Sequence, residues 1–313
     1  MISSIFGKTK PVNFIILLGF ILFFYPIVHS YLLLRDFSDL NILKEVGVLA
    51  VLLFCVLIMD FIVKRNKLTG TNSFAILFFT LLLVAFPESL GDSNAILCTF
   101  FLLLSTRRIL SIKSLREIKL KIFDASIWIL VASLFYDWAI LYLILVMAAI
   151  YIYEPKNIRN WLVLLSAGVC FIIILVGFLT LFDNLDFIFD HYNFYLDFRV
   201  ILPIQIASSI KIILYLILTV VLSVWAFLKL GKAGVGRIIM IRLVVLSFIL
   251  GLLVNLLLIP NKSYAIMITF FPSVILIANY VESIKREKFR EILLIVSITL
   301  PILGFIGRLL ISH

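Results

Sequence analysis

The sequence predicts an all-α protein, a polytopic transmembrane helical bundle of about 11 spans with the N-terminus inside and the C-terminus outside. Three observations predict it. Hydrophobic residues make up 64% of the 313-residue chain, charged residues 14%, and the mean hydropathy is +1.24. A soluble domain is about 45–50% apolar and about 25% charged, so the excess apolar surface calls for a bilayer. The apolar residues fall into long runs between short polar stretches, and Lys and Arg concentrate in alternate stretches. Those figures exclude a cytosolic enzyme, a nucleic-acid-binding domain and a disordered scaffold. The net charge of +10 is spread over six segments where it meets anionic headgroups, with no stacking aromatics, so no nucleic-acid partner is expected.

A helix crosses the roughly 30 Å hydrocarbon layer with about 20 apolar residues. The run Pro11 to Leu34 is too long for a signal-peptide core and no small-residue cleavage site follows it, so it reads as the first span. The clear spans are 12–34, 45–63, 160–182, 208–229, 238–259, 264–282 and 291–310. Two shorter runs, Ser73 to Phe86 and Asn94 to Ser105, read as a hairpin. Its turn is Pro87-Glu88-Ser89-Leu90-Gly91-Asp92, punctuated by proline and glycine. The stretch Ile122 to Tyr153 is one long helix or two broken at Phe135-Tyr136-Asp137-Trp138. Basic residues flank it on both sides, from Lys113 to Lys121 before and Lys156 and Arg159 after. If basic flanks stay cytoplasmic the chain crosses twice, which selects the hairpin.

With the N-terminus inside, 21 of the 27 Lys and Arg fall in cytoplasmic segments, and ten of the 17 acids face outward. The expected location is the bacterial inner membrane, in contact with membrane lipids. The expected organisation is an N-terminal transmembrane module over 1–182, an external interfacial segment over 183–206 and a C-terminal module over 207–313.

Cys55, Cys98 and Cys170 each lie inside an apolar run and have no paired spacing. There is no phosphate-binding glycine loop, no His-Glu-x-x-His and no Gly-x-Ser-x-Gly. No charge sits at the centre of a confident span, which disfavours an ion-coupled carrier. His29, Asn255 and Asn279 are the polar residues that keep a carrier open.

Two outward loops carry acids in useful places. Asp36 and Asp39 in the first loop stand at i,i+3 and would share one face of a short helix. Glu88, Asp92 and Asn94 lie in the second. A carboxylate at a membrane boundary can act as a general base toward a hydroxyl, or hold a divalent cation through oxygen ligands. Simple solvation of short loops explains the same acids.

This placement of acids resembles the GT-C superfamily of membrane glycosyltransferases over about residues 12–182. In that family a catalytic acid lies in the first external loop, a second acidic site in the next, and short helical hairpins follow. The resemblance implies Asp36 or Asp39 as catalytic residue, Glu88, Asp92 and Asn94 as supports for substrate or metal, and a polyprenyl-phosphate-linked sugar as donor. No tight Asp-x-Asp pair occurs in the second loop. The whole chain also resembles uncharacterised polytopic membrane proteins of Bacteroidetes-type bacteria, which implies no activity. The alternative is a non-catalytic subunit of an envelope assembly or export complex, or a lipid carrier.

Two further segments stand out. At about 100° per residue, Asp183, Asp186, Asp190 and Asp197 fall within an arc of about 60°, opposite a wide aromatic face. That pattern suits a helix in the outer interface, either a connector or a lid carrying Asp190 and His191. The basic loop Ser105 to Lys121 reads as amphipathic and surface-lying, a topology anchor that could also bind phospholipid heads or a polyprenyl pyrophosphate.

Overall fold

The computed structural model describes residues 2–33, 39–194, 206–229, 234–258 and 265–311. Among these residues there are helices and turns and no strand. The helices are α1 (Ile2–Phe6), α2 (Pro11–Ile27), α3 (Asp39–Asn66), α4 (Phe74–Ala85), α5 (Ser93–Ser111), α6 (Ile118–Ala132), α7 (Leu143–Tyr153), α8 (Ile158–Leu181), α9 (Asp186–His191), α10 (Ile206–Lys229), α11 (Val235–Leu258), α12 (Phe270–Ser283) and α13 (Glu287–Ile311). Among the described residues, eight helical segments are long and apolar enough to cross a membrane. The chain is a multi-pass integral membrane protein.

Each apolar run of the sequence forms a helix, because backbone polar groups in hydrocarbon must be satisfied within their own segment. The ends follow local chemistry. Proline occupies the first turn of α2, where its missing N–H costs no bond. At the far end, after Pro26, the helix widens to a π-helical turn over Val28–Leu32. Pro87 follows α4, and Phe86 ahead of it leaves the helical region, as residues before proline do. Asp92 caps α5, its side chain accepting from the backbone N–H groups of Asn94 and Ala95.

Three expectations are corrected. The run from Asn94 does not end at Ser105, ahead of Arg107-Arg108: α5 continues to Ser111, because both arginines have outlets. Arg107 lies over the Phe61 ring at 4.9 Å and Arg108 pairs with Asp124 at 2.8 Å. The segment Ser105 to Lys121 is therefore no surface-lying amphipathic loop. Ser105, Ile109 and Leu110 are buried, and only a short turn around left-handed Leu115 and Glu117 separates α5 from α6. The acidic arc over 183–197 is also not one helix among the described residues. α9 is six residues long and ends at His191, while Asp197 lies outside the described residues. The break expected at 135–138 is present, with a 3-10 turn over Asp137–Tyr142 between α6 and α7.

The core runs without interruption from Leu17 on α2 to Leu294 on α13, across the expected module boundaries. α4 and α12 lie inside it. Phe79 and Phe86 from α4 and its end meet Phe270 and Tyr215, with ring centroids 5.3–6.3 Å apart. Such aromatic contacts add to plain apolar burial. Tyr215 keeps its hydroxyl satisfied on Thr269 Oγ1 at 2.8 Å and Ser273 Oγ at 2.5 Å, as a buried phenol requires. α8 and α13 lie at the rim with apolar side chains exposed on most of their circumference.

The end of the bundle holding the 67–73 loop is fastened by acids of late helices. The Glu282 carboxylate accepts from the backbone N–H of Gly70 at 2.9 and 3.0 Å and from Asn72 Nδ2 at 2.7 Å. Asn279 donates to the Leu68 carbonyl at 3.1 Å. Glu291 accepts from the backbone N–H groups of Ile2 and Ser3, which ties α1 to α13. We call this the basic end, since Arg65 and Lys67 at the end of α3 and Lys113 of the α5–α6 turn come together there, and the opposite one the acidic end.

Candidate functional site

The candidate site is built where three turns far apart in the sequence meet at the acidic end. The first is the π-helical turn after α2. The residue at its heart, His29, is fully buried and stacks on Tyr25 with ring centroids 4.1 Å apart. A carbonyl can only accept, so the His29 Nδ1–H donates to the Tyr25 carbonyl at 3.1 Å. That leaves Nε2 facing Glu45 Oε2 of α3 at 3.2 Å, and the same oxygen accepts the Tyr25 hydroxyl at 2.5 Å. Tyr25 and His29 stand four residues apart on one helix face, which is why both rings lie beside the same carboxylate. π-helical turns recur at functional sites.

The second turn is the 3-10 segment Pro87–Gly91. Gly91 packs directly on Leu33, so closely that a Cβ at 91 would stand 2.8 Å from Leu33 Cδ1. Glu88 forms an ion pair with Arg308 of α13. Asp92 caps α5 and takes a further hydrogen bond from the Tyr136 hydroxyl at 2.5 Å on its other oxygen. Asn94 is exposed, and its backbone N–H is one of the two that Asp92 receives.

The third turn, 133–138, is reached by α9. His191 Nε2–H donates to the Ser133 carbonyl at 2.8 Å, and the Tyr192 hydroxyl meets Ser133 Oγ at 2.9 Å. Phe194 stands edge-on to Trp138 at 5.0 Å. Burial pushes the Asp137 carboxyl above its usual range, opposed by the Trp138 N–H and by His191. Burial likewise raises the Tyr192 phenol, opposed by the Ser133 hydroxyl, with Asp137 adding to the rise. Asp190 is exposed.

Compared with protein-family models, with curated proteins and with solved structures, the chain matches none.

The turns therefore bring together Glu45, Glu88, Asp92 and Asp137 at one end of the bundle. Asp36 lies outside the described residues; Asp39 opens α3, with its side chain outside them. The described segments around that loop, up to Leu33 and from α3 onward, are bridged by the Tyr25–His29–Glu45 contacts. Among the described residues, no group of three or more His, Cys, Asp and Glu is placed to hold a metal ion. The oxygens of Glu88 and Asp92 already receive Arg308, two backbone N–H groups and a phenol. A cation there would have to displace those donors.

Sequence reasoning took Glu45 for a solvated acid and left Tyr25, Tyr136 and Arg308 unassigned. Tyr-Pro-x-x-His ahead of a helix end was a usable signal for the first cluster, since proline and a buried-side histidine share the last turns of α2. Nothing in the sequence joins Arg308 to Glu88.

Proposed function

We propose that the chain is a GT-C-like transferase of a bacterial inner membrane, oriented N-in and C-out, that takes a sugar from a polyprenyl-phosphate donor at the outer face. In this reading Asp36 or Asp39 removes the proton of an acceptor hydroxyl. The hydroxyl oxygen bonds to the anomeric carbon, and the bond from that carbon to the donor phosphate breaks. The lipid phosphate leaves with the electron pair. Glu88 and Asp92 support the floor of the site, and α9 with Asp190 and His191 forms its outer cover.

The observation that supports this reading best is the convergence at the acidic end. The turn after α2, the Pro87–Gly91 turn and the 133–138 turn are joined by Leu33 on Gly91 and by the Tyr136–Asp92 hydrogen bond. Glu45 and Asp92, both acids of this end, are fixed by aromatic hydroxyls. The charge partition of the loops supports the orientation.

A second reading, a non-catalytic subunit of an envelope assembly complex or a lipid carrier, has its own support. Glu88 and Asp92 are engaged in contacts that fasten helices together, and α8 and α13 leave long apolar faces uncovered.

Complementation of a deletion strain separates the two, with protein level measured in the same cells. Asp36→Asn or Asp39→Asn removes the basicity that deprotonation needs and nearly preserves shape. The transferase reading expects at least one of them to abolish function at normal abundance. Full complementation by both, together with Glu88→Gln and Asp92→Asn, would sink it and favour the subunit.

A further inference from the structure

The basic end contains three cations that the fold presses together without an acid. Arg65 and Lys67 flank Asn66 at the end of α3. Lys67 sits there in the left-handed region (φ 52°), and Leu68 N–H closes the helix on the Val63 carbonyl at 3.0 Å. From the α5–α6 turn, Lys113 reaches across and donates to the carbonyl of Asn66 at 3.5 Å, beside Met240 Sδ at 3.4 Å. Arg65 and Lys67 are the charges that act on the Lys113 amine. Two other cations at this end do have acid partners, Lys64 on Asp60 at 2.6 Å and Arg108 on Asp124 at 2.8 Å. Among the described residues, no acid pairs with Arg65, Lys67 or Lys113.

Topology anchoring explains why these cations share a side of the membrane, and the α3 C-terminus favours positive charge. The unpaired Asn66 carbonyl at that C-terminus accepts Lys113 from a separate hairpin, which sets its charge beside the two others. Like charges held together call for an anion. The surroundings say which kind. Leu115, left-handed at the tip of the α5–α6 turn, is 57% exposed between Lys113 and Arg116. One turn of α3 back from Arg65, the exposed Phe61 ring lies under Arg107. Exposed apolar side chains alternating with cations mark the level where acyl chains meet headgroups.

We propose that Arg65, Lys67 and Lys113 form a binding site for the phosphate of an anionic phospholipid in the leaflet at the basic end. Lys113 bridges the two hairpins and the Phe61 face of α3 receives the acyl chains. The site is independent of the transferase reading.

The test uses the full chain, purified in mild detergent, with retained lipid measured by native mass spectrometry after addition of phosphatidylglycerol or phosphatidylcholine. Phosphatidylglycerol should be retained in preference to phosphatidylcholine. Lys67→Gln and Lys113→Gln should each weaken its retention about fivefold, since a cation near a headgroup is worth about 1 kcal/mol. Lys113→Arg should restore most of it, and Lys119→Gln, outside the cluster, should change little. If Lys113→Gln does not fold, Lys67→Gln and the native protein decide, because the preference must fall as salt is raised. Equal retention of the two lipids, or undiminished retention in the folded glutamine variants, overturns the site. Binding of inorganic diphosphate without a preference for phosphatidylglycerol overturns the lipid assignment.

Discussion

The two ends of the bundle use charge in opposite ways. At the acidic end Glu45, Glu88 and Asp92 each receive donors from a different helix or turn, and these contacts fasten α2 to α3, the 87–91 turn to α13, and α5 to the α6–α7 turn. At the basic end the late acids Glu282 and Glu291 fasten loop and N-terminus through backbone N–H groups, while Arg65, Lys67 and Lys113 have no acid partner among the described residues. A backbone N–H is fixed in place and carries no charge, so an acid satisfied by it neutralises nothing. The difference teaches that neutralisation and fastening are separable. At the acidic end Glu88 does both with one side chain through Arg308, whereas at the basic end Glu282 fastens the 67–73 loop through uncharged donors.

The largest effect should come from Asp92→Ala. It removes the α5 cap, worth about 1–2 kcal/mol, and leaves the Tyr136 hydroxyl without its acceptor, at about 1–3 kcal/mol. We expect a loss of about 3 kcal/mol, read as a lower unfolding midpoint in detergent and reduced abundance in cells. Asp92→Asn, which keeps an oxygen for the cap, should lose less than half of that. Loss of the same size from both would break the account of the acidic end.

Glu282→Ala should come next, at about 2 kcal/mol, because the hydrogen bonds that it removes are to a charged acceptor but partly open to water. It should also make the 67–73 loop a cleavage site for protease added on that side. An unchanged loop with an unchanged midpoint would show that the basic end is fastened by apolar packing alone.

The smallest effect concerns pH at the 133–138 turn. The Asp137 carboxyl is raised by burial, so the folded state binds its proton more tightly than the unfolded one. The stabilising contribution of protonation is therefore complete below the ordinary carboxylate range and is lost as pH rises through the raised value. Asp137→Asn, which retains an acceptor for the Trp138 N–H, should flatten this slope and raise the midpoint slightly at neutral pH. A steeper slope in the variant would reverse the assignment of burial as the cause.

Much of the fold was legible. The breaks at Pro87 and at Phe135–Trp138 could be placed because proline and a polar pair interrupt otherwise unbroken apolar runs. The extension of α5 through Arg107-Arg108 was not legible. Two arginines read as a boundary unless their partners are known, and those partners, Phe61 and Asp124, come from two other helices. Of the candidate site, Glu88 and Asp92 were picked out from their turn. The Tyr25–His29–Glu45 cluster was not, since Glu45 looks like any acid near a loop until α2 and α3 are laid side by side.

The sequence by itself determined that the chain lies in a membrane and which stretches are helical, because in hydrocarbon each backbone N–H and C=O must be paired inside its own helix and no neighbour is needed to decide it. Only the tertiary structure decided which helices form the core. In the Ala265–Ser283 segment 83% of the apolar window is buried, and in Glu287–Leu310 6% is, although both read as spans. Lipid tails are as apolar as leucine, so hydropathy is indifferent between a lipid neighbour and a protein one. The same holds for charge. Which acid meets Arg308, and which cations are left together beside Asn66, depends on helix neighbours that a linear pattern does not encode.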